Sequence, residues 1–180
     1  MSTTGQISTR PGTEADGDDL WRILTEALAS GRSRALDATA PREQAIEQWT
    51  RDERVGFVAE RDGRLIGTCT IHPYRSRLDA PVATAALVVD PADHGLYVHH
   101  ELLRRAVDVA AGAGSEGVRL EVIVTNVAVV QIYRALGFVI VGREPAACRL
   151  PDGSRADVLV LHRFLAPTHS GPDADRAAAS

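Results

Sequence analysis

The chain has 180 residues, 44% of them hydrophobic and 24% charged, which is typical of one globular domain with its own core. Its formal net charge is -4, and the 20 residues counted as lysine or arginine are all arginines. The lack of lysine excludes a side-chain Schiff base, a lysine general base and a P-loop lysine. The acidic balance argues against a nucleic-acid partner.

The two cysteines, Cys69 and Cys148, are too few for a disulfide framework and lack partners at zinc-ligand spacing. No apolar run approaches the ~20 residues needed to span a bilayer, and the first residues lack the apolar stretch of a signal peptide. We therefore expect a cytoplasmic protein that has no membrane partner. The abundance of Arg, Ala, Gly, Val and Asp indicates a GC-rich bacterial genome.

The first part of the chain predicts a strand followed by two helices. Residues 7–11 suit a short strand, and the acidic run at 16–19 suits the cap and first turn of a helix. Apolar residues at helical spacing support that helix, which ends at Gly31. They are Leu20, Ile23, Leu24, Ala27 and Leu28. Pro41 suits the first turn of a second helix that runs through Trp49.

Three strands come next. Apolar runs at 55–60 and 64–71 are separated by Arg-Asp-Gly, in which the Asp-Gly pair favours a tight antiparallel turn. A third run, at 82–89, must end near Pro91 because proline cannot donate to a sheet ladder. The sequence therefore predicts a hairpin and then a third strand.

A helix, a strand and another helix follow. Apolar residues between 98 and 110 fall on one helical face, and 118–125 reads as a strand. Asn126 is well placed to cap a helix that ends at Gly137. Residues 112–117 match the letters of the dinucleotide pattern G-x-G-x-x-G, but they follow a helix and precede a strand, the reverse of that motif's context. We do not assign a nucleotide site to them.

Two strands, at 138–142 and 156–165, complete the domain, with a turn at Asp152-Gly153. The order of elements predicts a mixed fold between α+β and α/β, in which about four helices flank a central, mixed, twisted sheet of about seven strands. We expect a single domain over residues 1–166. Residues 167–180 are rich in Pro, Gly, Asp, Ala and Ser and are expected to be a disordered tail.

Several motifs in the second half resemble those of a known family. An L-x-V strand leads to Asn126, Tyr133 follows seven residues later, and Leu-Gly-Phe at 136–138 closes the helix. Val-Asp-Pro at 89–91 is similar to the end of that family's fourth strand. Over residues 7–165 the chain resembles the GCN5-related N-acetyltransferase (GNAT) superfamily, and the predicted order of elements is that family's order.

The resemblance implies transfer of an acetyl or related acyl group from acyl-coenzyme A to the amine of a small molecule, by direct attack. It implies that backbone amides of Val88 and Val89 bind the thioester carbonyl, since fixed N–H donors stabilise the charge that develops there. It further implies that Tyr133 gives a proton to the departing thiolate and that Asn126 contacts the pantetheine region. Dimers are common in the family, so a homodimer is a further expectation.

The pyrophosphate-binding loop departs from the family pattern of Arg or Gln, two residues, Gly, one residue, then Gly or Ala. The corresponding residues here are His94, Gly95, Leu96, Tyr97, Val98 and His99. Tyr97 and His99 are large where that pattern has small residues that let phosphate approach backbone amides. In one hypothesis the amides still hold the pyrophosphate, with charge from His94, His99, Arg104 or Arg105. In the other, the protein has been remodelled for another donor or binds a ligand without catalysis.

The general base has several candidates. Glu121 is the first, because alternation along a strand places it on the opposite face from Leu120 and Val122. The others are Asp157, His72 and Tyr74. A water relay could also deprotonate the amine. We expect no metal site, because His99 and His100 diverge by about 100° on a helix.

Overall fold

The computed structural model describes residues 6–31, 41–43, 46–47, 55–73, 81–93 and 96–165. Within these residues the chain forms seven strands, three helices with described bounds and one short 3-10 turn, and residues 42–43 and 46–47 are also helical. In chain order they are β1 (Ile7–Pro11), the 3-10 turn (Glu14–Asp16), α1 (Gly17–Ala29), β2 (Val55–Arg61), β3 (Arg64–Pro73), β4 (Val82–Val89), α2 (Leu96–Gly112), β5 (Gly117–Ile123), α3 (Val127–Ala135), β6 (Val139–Arg149) and β7 (Arg155–Phe164).

All seven strands belong to one sheet in the order β1-β2-β3-β4-β5-β7-β6. The β4–β5 pair is parallel and the other pairs are antiparallel, which confirms the predicted mixed sheet. The parallel pair is connected through α2, as parallel strands require a crossover. Among the described helices, none is long and apolar enough to cross a membrane.

Helices cover both faces of this sheet. Side chains of α2 and α3 pack with alternate residues of the central strands, among them Ala83 and Ala85 of β4, in the largest cluster of buried residues. Side chains of α1 pack on the opposite face, where they meet Val88, Val58 and Leu65. Below, these are the α2 face and the α1 face.

Gly67 on β3 lets α2 lie close to the sheet. A Cβ at this position would stand 3.0 Å from Leu102 Cδ1, 3.1 Å from Val98 Cγ1 and 3.2 Å from the Val88 carbonyl oxygen. Real Cβ atoms rarely approach other atoms so closely, and interiors this dense have little room to yield. The first turns of α2 are therefore set directly on β3 and β4.

The end of β4 is fastened by a buried carboxylate, Asp90. It accepts hydrogen bonds from Arg22 of α1 and Arg64 of β3, each at 2.7 Å, and from the Ala92 amide at 2.8 Å. Burial raises the pKa of Asp90, but these partners more than offset that effect and lower it overall. One side chain thus joins α1, β3 and the segment that leads to α2.

Several element boundaries differ from the predictions. The strand predicted at 138–142 extends to Arg149, because β6 pairs with β7 along a long hairpin interrupted by register shifts. The strand predicted at 118–125 ends at Ile123. The turn at Asp152-Gly153 is confirmed, with Gly153 at φ +83°.

Other predictions concern residues whose placement is not described or boundaries that nothing tests. In the helix predicted from Pro41 through Trp49, residues 42–43 and 46–47 are helical, while residues 44–45 and 48–49 lie outside the described residues. The tail at 167–180 also lies outside them. The domain boundary at 166 stays a prediction. The glycine-rich run at 112–117 does connect a helix to a strand, and Gly114 ends α2 at φ +79°.

Candidate functional site

A gap opens between β4 and β5. The two strands pair only where residues 82–84 meet 117–119. Beyond that point β4 continues along β3, while β5 continues along β7. The central strands therefore diverge, and the β4 edge that faces β5 has no strand partner there among the described residues.

Backbone alternation decides which residues of β4 face this gap. The Asp90 amide donates to the Ile66 carbonyl of β3 at 2.9 Å, and in an antiparallel ladder every second residue turns both its N–H and its C=O to the same neighbour. Val88 therefore also faces β3, whereas Leu87 and Val89 face the gap. Of the two predicted amide donors, Val89 presents its N–H to the gap and Val88 does not. Leu87 also presents its N–H to the gap, and the sequence did not identify it.

The end of α3 holds Tyr133 in place. Gly137 adopts φ +84°, the Phe138 amide donates to the Tyr133 carbonyl at 3.0 Å, and the Gly137 amide donates to the Arg134 carbonyl at 3.0 Å. These two bonds form a Schellman motif, in which glycine supplies the left-handed residue. The rings of Phe138 and Tyr133, 6.2 Å apart, make the apolar contact that accompanies the motif. The Leu-Gly-Phe run thus forms the helix C-cap that holds Tyr133 in position.

Tyr133 is 4% exposed. Burial, with a smaller contribution from nearby Cys69, raises the pKa of its phenol well above the usual range, so the hydroxyl stays protonated at neutral pH. Burial also raises the pKa of Cys69 far above its usual value. A thiol held protonated is a poor nucleophile, which disfavours a covalent acyl-cysteine.

The start of α2 contains the residues of the altered loop. His94 and Gly95 lie outside the described residues, and α2 begins at Leu96. Tyr97 is 59% exposed and stacks on His100, with ring centroids 6.2 Å apart. Both side chains thus belong to the outer part of the helix.

Val98 and His99 turn inward from the same turn. Val98 is fully buried against Gly67. The imidazole of His99 is partly buried, its Nδ1 is fully buried, and that nitrogen has no hydrogen-bond partner among the described residues. Burial lowers the pKa of His99 to about 4, so the ring is neutral at pH 7. An unpaired buried nitrogen costs roughly 1–3 kcal/mol.

The arginines proposed as a source of charge lie elsewhere on α2. Arg104 is exposed and forms ion pairs with Glu101 at 3.1 Å and Asp108 at 3.2 Å. Arg105 is also exposed. On a helical wheel both are turned away from the centre of the buried face, so charge from Arg104 is already engaged on the outer surface.

On the α1 face, a row of polar residues crosses the sheet where the gap begins. His72, Thr84, Arg119 and His162 are successive register partners on β3, β4, β5 and β7, so their side chains share one face. The buried Thr84 hydroxyl has no hydrogen-bond partner within the described part of the chain. We call these four residues the polar row. Thr84 and Arg119 form the last β4–β5 pair before the strands diverge.

Glu121 stands beside the gap, two residues beyond the polar row on β5. Leu120 and Val122 are buried in the core of the α2 face, so Glu121 projects on the α1 face, as predicted. It forms an ion pair with Arg119. Arg119 also lies 3.7 Å from Glu144 of β6. Strand alternation from Glu121 could have identified Arg119 from the sequence, but the partners on β6 and β7 required the sheet order.

The other base candidates are placed differently. Asp157 accepts hydrogen bonds from the Ala146 amide at 2.8 Å and from Arg143 Nε at 2.6 Å, and these contacts lower its pKa. It therefore stabilises the β6–β7 hairpin. Tyr74 lies outside the described residues.

Asn126 is the N-cap residue of α3, as predicted, but its side chain forms no capping hydrogen bond. The Asn126 carbonyl instead accepts the Val130 amide at 3.1 Å, which is the first intrahelical bond. Its expected contact with pantetheine stays a prediction.

Comparisons with known proteins point in one direction. The model of the acetyltransferase (GNAT) family matches residues 18–138. The chain is similar in structure to a GCN5-related N-acetyltransferase from Kribbella flavida, with 28% identity, a TM-score of 0.80, and coverage of 88% of this chain and 98% of that one. No curated protein matches the sequence.

Two further structures were determined with acetyl-CoA. One is from Salmonella typhimurium, with 21% identity, a TM-score of 0.78, and coverage of 93% of this chain and 98% of that one. The other is a phosphinothricin acetyltransferase from Sinorhizobium meliloti, with 19% identity, a TM-score of 0.77, and coverage of 93% and 96%. At such identities the likeness is one of fold.

Proposed function

The chain belongs to the GNAT acetyltransferase family, and from this premise we propose that it transfers an acyl group from acyl-coenzyme A to the amine of a small molecule. The observation that carries the proposal is the gap between β4 and β5, whose edge offers backbone N–H groups beside a core that contains Tyr133. When bound, the acyl-coenzyme A supplies the acyl group as a thioester.

The amides of Leu87 and Val89 suit the carbonyl of such a thioester. Both belong to a strand that is paired with β3 over residues 83–89 and fastened by Asp90. Donors held this rigidly need no rearrangement when negative charge develops on an oxygen, and this is the main advantage of preorganised sites. In our proposal Val89, the last residue of the strand, is the principal donor.

Tyr133 suits the leaving sulfur. A free thiol has a pKa of about 8.5 and a free phenol has a pKa of about 10. Burial raises the pKa of the Tyr133 phenol further. Complete transfer of the phenolic proton to a thiolate is therefore unfavourable. A hydrogen bond from the Tyr133 hydroxyl to the sulfur, strengthening as negative charge builds up, is the role that this pKa supports.

The acceptor amine would approach from the α1 face. Arg119 lies between two carboxylates, Glu121 and Glu144, so these three side chains together carry net negative charge, which attracts a protonated amine. Glu121 is beside the gap and would accept the amine's proton directly or through water. The Thr84 hydroxyl, which has no partner among the described residues, offers a further hydrogen bond to the acceptor.

A second candidate function is ligand binding without catalysis. Tyr97 and His99 favour it, because they stand at positions where the family pattern has small residues. The retained Tyr133 and the rigid β4 edge favour the enzyme.

Calorimetry and a thiol-release assay would separate these functions. We expect acetyl-CoA to bind, and free thiol to appear only when a primary amine is added from a panel of small amines and short peptides. Hydrolysis without amine is the background control. Binding without release for any amine would favour the second function, and release with peptides alone would contradict the small-molecule acceptor. No heat at millimolar acetyl-CoA would overturn the proposed acyl transfer and leave binding of another ligand as the candidate function.

A further inference from the structure

His99 occupies the centre of the buried face of α2. At 100° per residue, it lies between Val98 and Leu103 on the helical wheel and within about 20° of Ala106. These three neighbours are buried in the core of the α2 face. The imidazole is therefore directed toward the sheet from the first turn of the helix, while the adjacent His100 is turned outward onto Tyr97.

The contacts of Val98 locate this imidazole relative to the gap. Val98 packs on Gly67, where a Cβ would lie 3.1 Å from its Cγ1. Gly67 is the register partner of Val89, the residue whose N–H faces the gap. His99 thus stands at the end of the gap where β4 terminates, on the face that also holds Tyr133.

The Nδ1 of His99 is buried and unpartnered among the described residues. Nearly all buried polar groups in folded proteins are hydrogen-bonded, so an exception calls for an explanation such as a missing ligand. The buried residues beside it on α2, Val98, Leu103 and Ala106, have apolar side chains that offer no hydrogen bond.

We propose that His99 binds the pantetheine arm of the donor through a hydrogen bond between its Nδ1 and an amide group of that arm. This inference rests on the proposed function, because it assumes an acyl-coenzyme A donor. Its basis is the unpaired nitrogen, the inward orientation and the position beside Val89. A neutral imidazole matches a neutral amide, whereas a pyrophosphate would call for a cation.

Calorimetry on four forms of the protein tests the assignment: wild type, His99→Leu, His99→Asn and, as the matched control, His100→Leu. The ligand is acetyl-CoA, and two fragments compete against it: S-acetylpantetheine, which lacks the nucleotide, and adenosine 3′,5′-bisphosphate, which lacks the arm. Thermal melting checks that each variant is folded.

We expect His99→Leu to weaken the binding of acetyl-CoA and of S-acetylpantetheine about fivefold to tenfold, which corresponds to the loss of roughly one hydrogen bond. The affinity for the nucleotide fragment should not change. His99→Asn, which retains a side-chain amide, should recover most of the affinity, and His100→Leu should match wild type. In addition, the ¹⁵N shift of His99 Nδ1 should move when S-acetylpantetheine binds.

Three results would overturn the assignment. They are an unchanged or tighter affinity for acetyl-CoA in His99→Leu, an equal loss for the nucleotide fragment, and an equal loss in His100→Leu. If neither fragment competes, the acetyl-CoA affinities and the ¹⁵N shift with acetyl-CoA decide. If wild type and His99→Leu bind acetyl-CoA equally well, only the role of His99 is refuted. If the wild type does not bind acetyl-CoA, the proposed function is refuted as well.

Discussion

The two helix ends that border the α2 face of the gap are built in opposite ways. At the end of α3, Gly137 and Phe138 complete a Schellman motif whose backbone donors are paired and whose apolar contact holds Tyr133. At the start of α2, the family's small residues are replaced, and His99 leaves a buried nitrogen without a partner among the described residues.

This difference suits two roles within one site, positioning a reacting group and binding a ligand. The α3 end is complete without a ligand, as expected of a group that must meet a reacting atom in a fixed position. Among the described residues, the α2 end has an unsatisfied polar atom, as expected where binding supplies a missing partner. In our proposal, the departures from the family pattern therefore concern how a donor is held more than how its acyl group reacts.

Removing the Tyr133 hydroxyl is the largest test of the α3 end. Tyr133→Phe should lower turnover about 100-fold, in line with the loss of one preorganised hydrogen bond to developing negative charge, while acetyl-CoA affinity stays within about twofold. Steady-state kinetics and calorimetry measure the two quantities separately. Unchanged turnover in a folded variant would remove Tyr133 from the mechanism.

Asp90→Asn tests the connection into α2. We expect a loss of about 2 kcal/mol in the free energy of unfolding at pH 7, since hydrogen bonds to a charged group are broken. The Asp90 pKa is lowered by folding, so its contribution is present above the unfolded value of about 3.9 and is lost as pH falls through the lower folded value.

The difference in the free energy of unfolding between wild type and Asp90→Asn should therefore become smaller below about pH 4. Urea unfolding at several pH values measures it. Asp108→Asn is the control, because Asp108 makes an exposed ion pair with Arg104 and such pairs contribute little. If wild type and Asp90→Asn differed in the free energy of unfolding by the same amount at every pH, the assigned role of the carboxylate would be contradicted.

Gly137→Ala tests the Schellman motif. At φ +84° a side chain is strained, and we expect a loss of about 1–2 kcal/mol together with lower turnover, because Tyr133 loses its fixed position. Gly112→Ala is the matched control: a Cβ there meets nothing within 4 Å, and its φ is not in the left-handed range. Equal stability of the two variants in urea unfolding would refute the motif's contribution.

Arg104→Gln should have the smallest effect. Its guanidinium is engaged with Glu101 and Asp108 on the exposed face of α2, so acetyl-CoA affinity should change less than twofold. A loss above fivefold that grows at low salt would mean that Arg104 contacts the phosphates, and the contrast between the two helix ends would have to be redrawn.

Much of the fold could be predicted because local patterns repeat within each element. The Asp-Gly hairpin, the end of β4 before Pro91 and the glycine that ends α3 follow from backbone preferences of single residues. Boundaries failed where pairing overrode local preference: β6 continues to Arg149 because β7 lies beside it.

The site was predictable only in part, for the same reason. Alternation placed Glu121 opposite Leu120 and Val122, a relation internal to one strand. It did not reveal that Val88 faces β3, because this depends on which residue of β4 pairs with which residue of β3. Nor did it identify the polar row, which joins residues from four strands.

The sequence by itself determined the order of elements, the family, and the presence of Tyr133 at a glycine-capped helix end, because these depend on neighbours along the chain. Only the tertiary structure decided which amides of β4 face the gap, that His99 faces inward while His100 does not, and that Arg119 lies between two carboxylates. Each of these depends on the register of strands or the docking of a helix, and such long-range geometry is set by packing across the whole sheet.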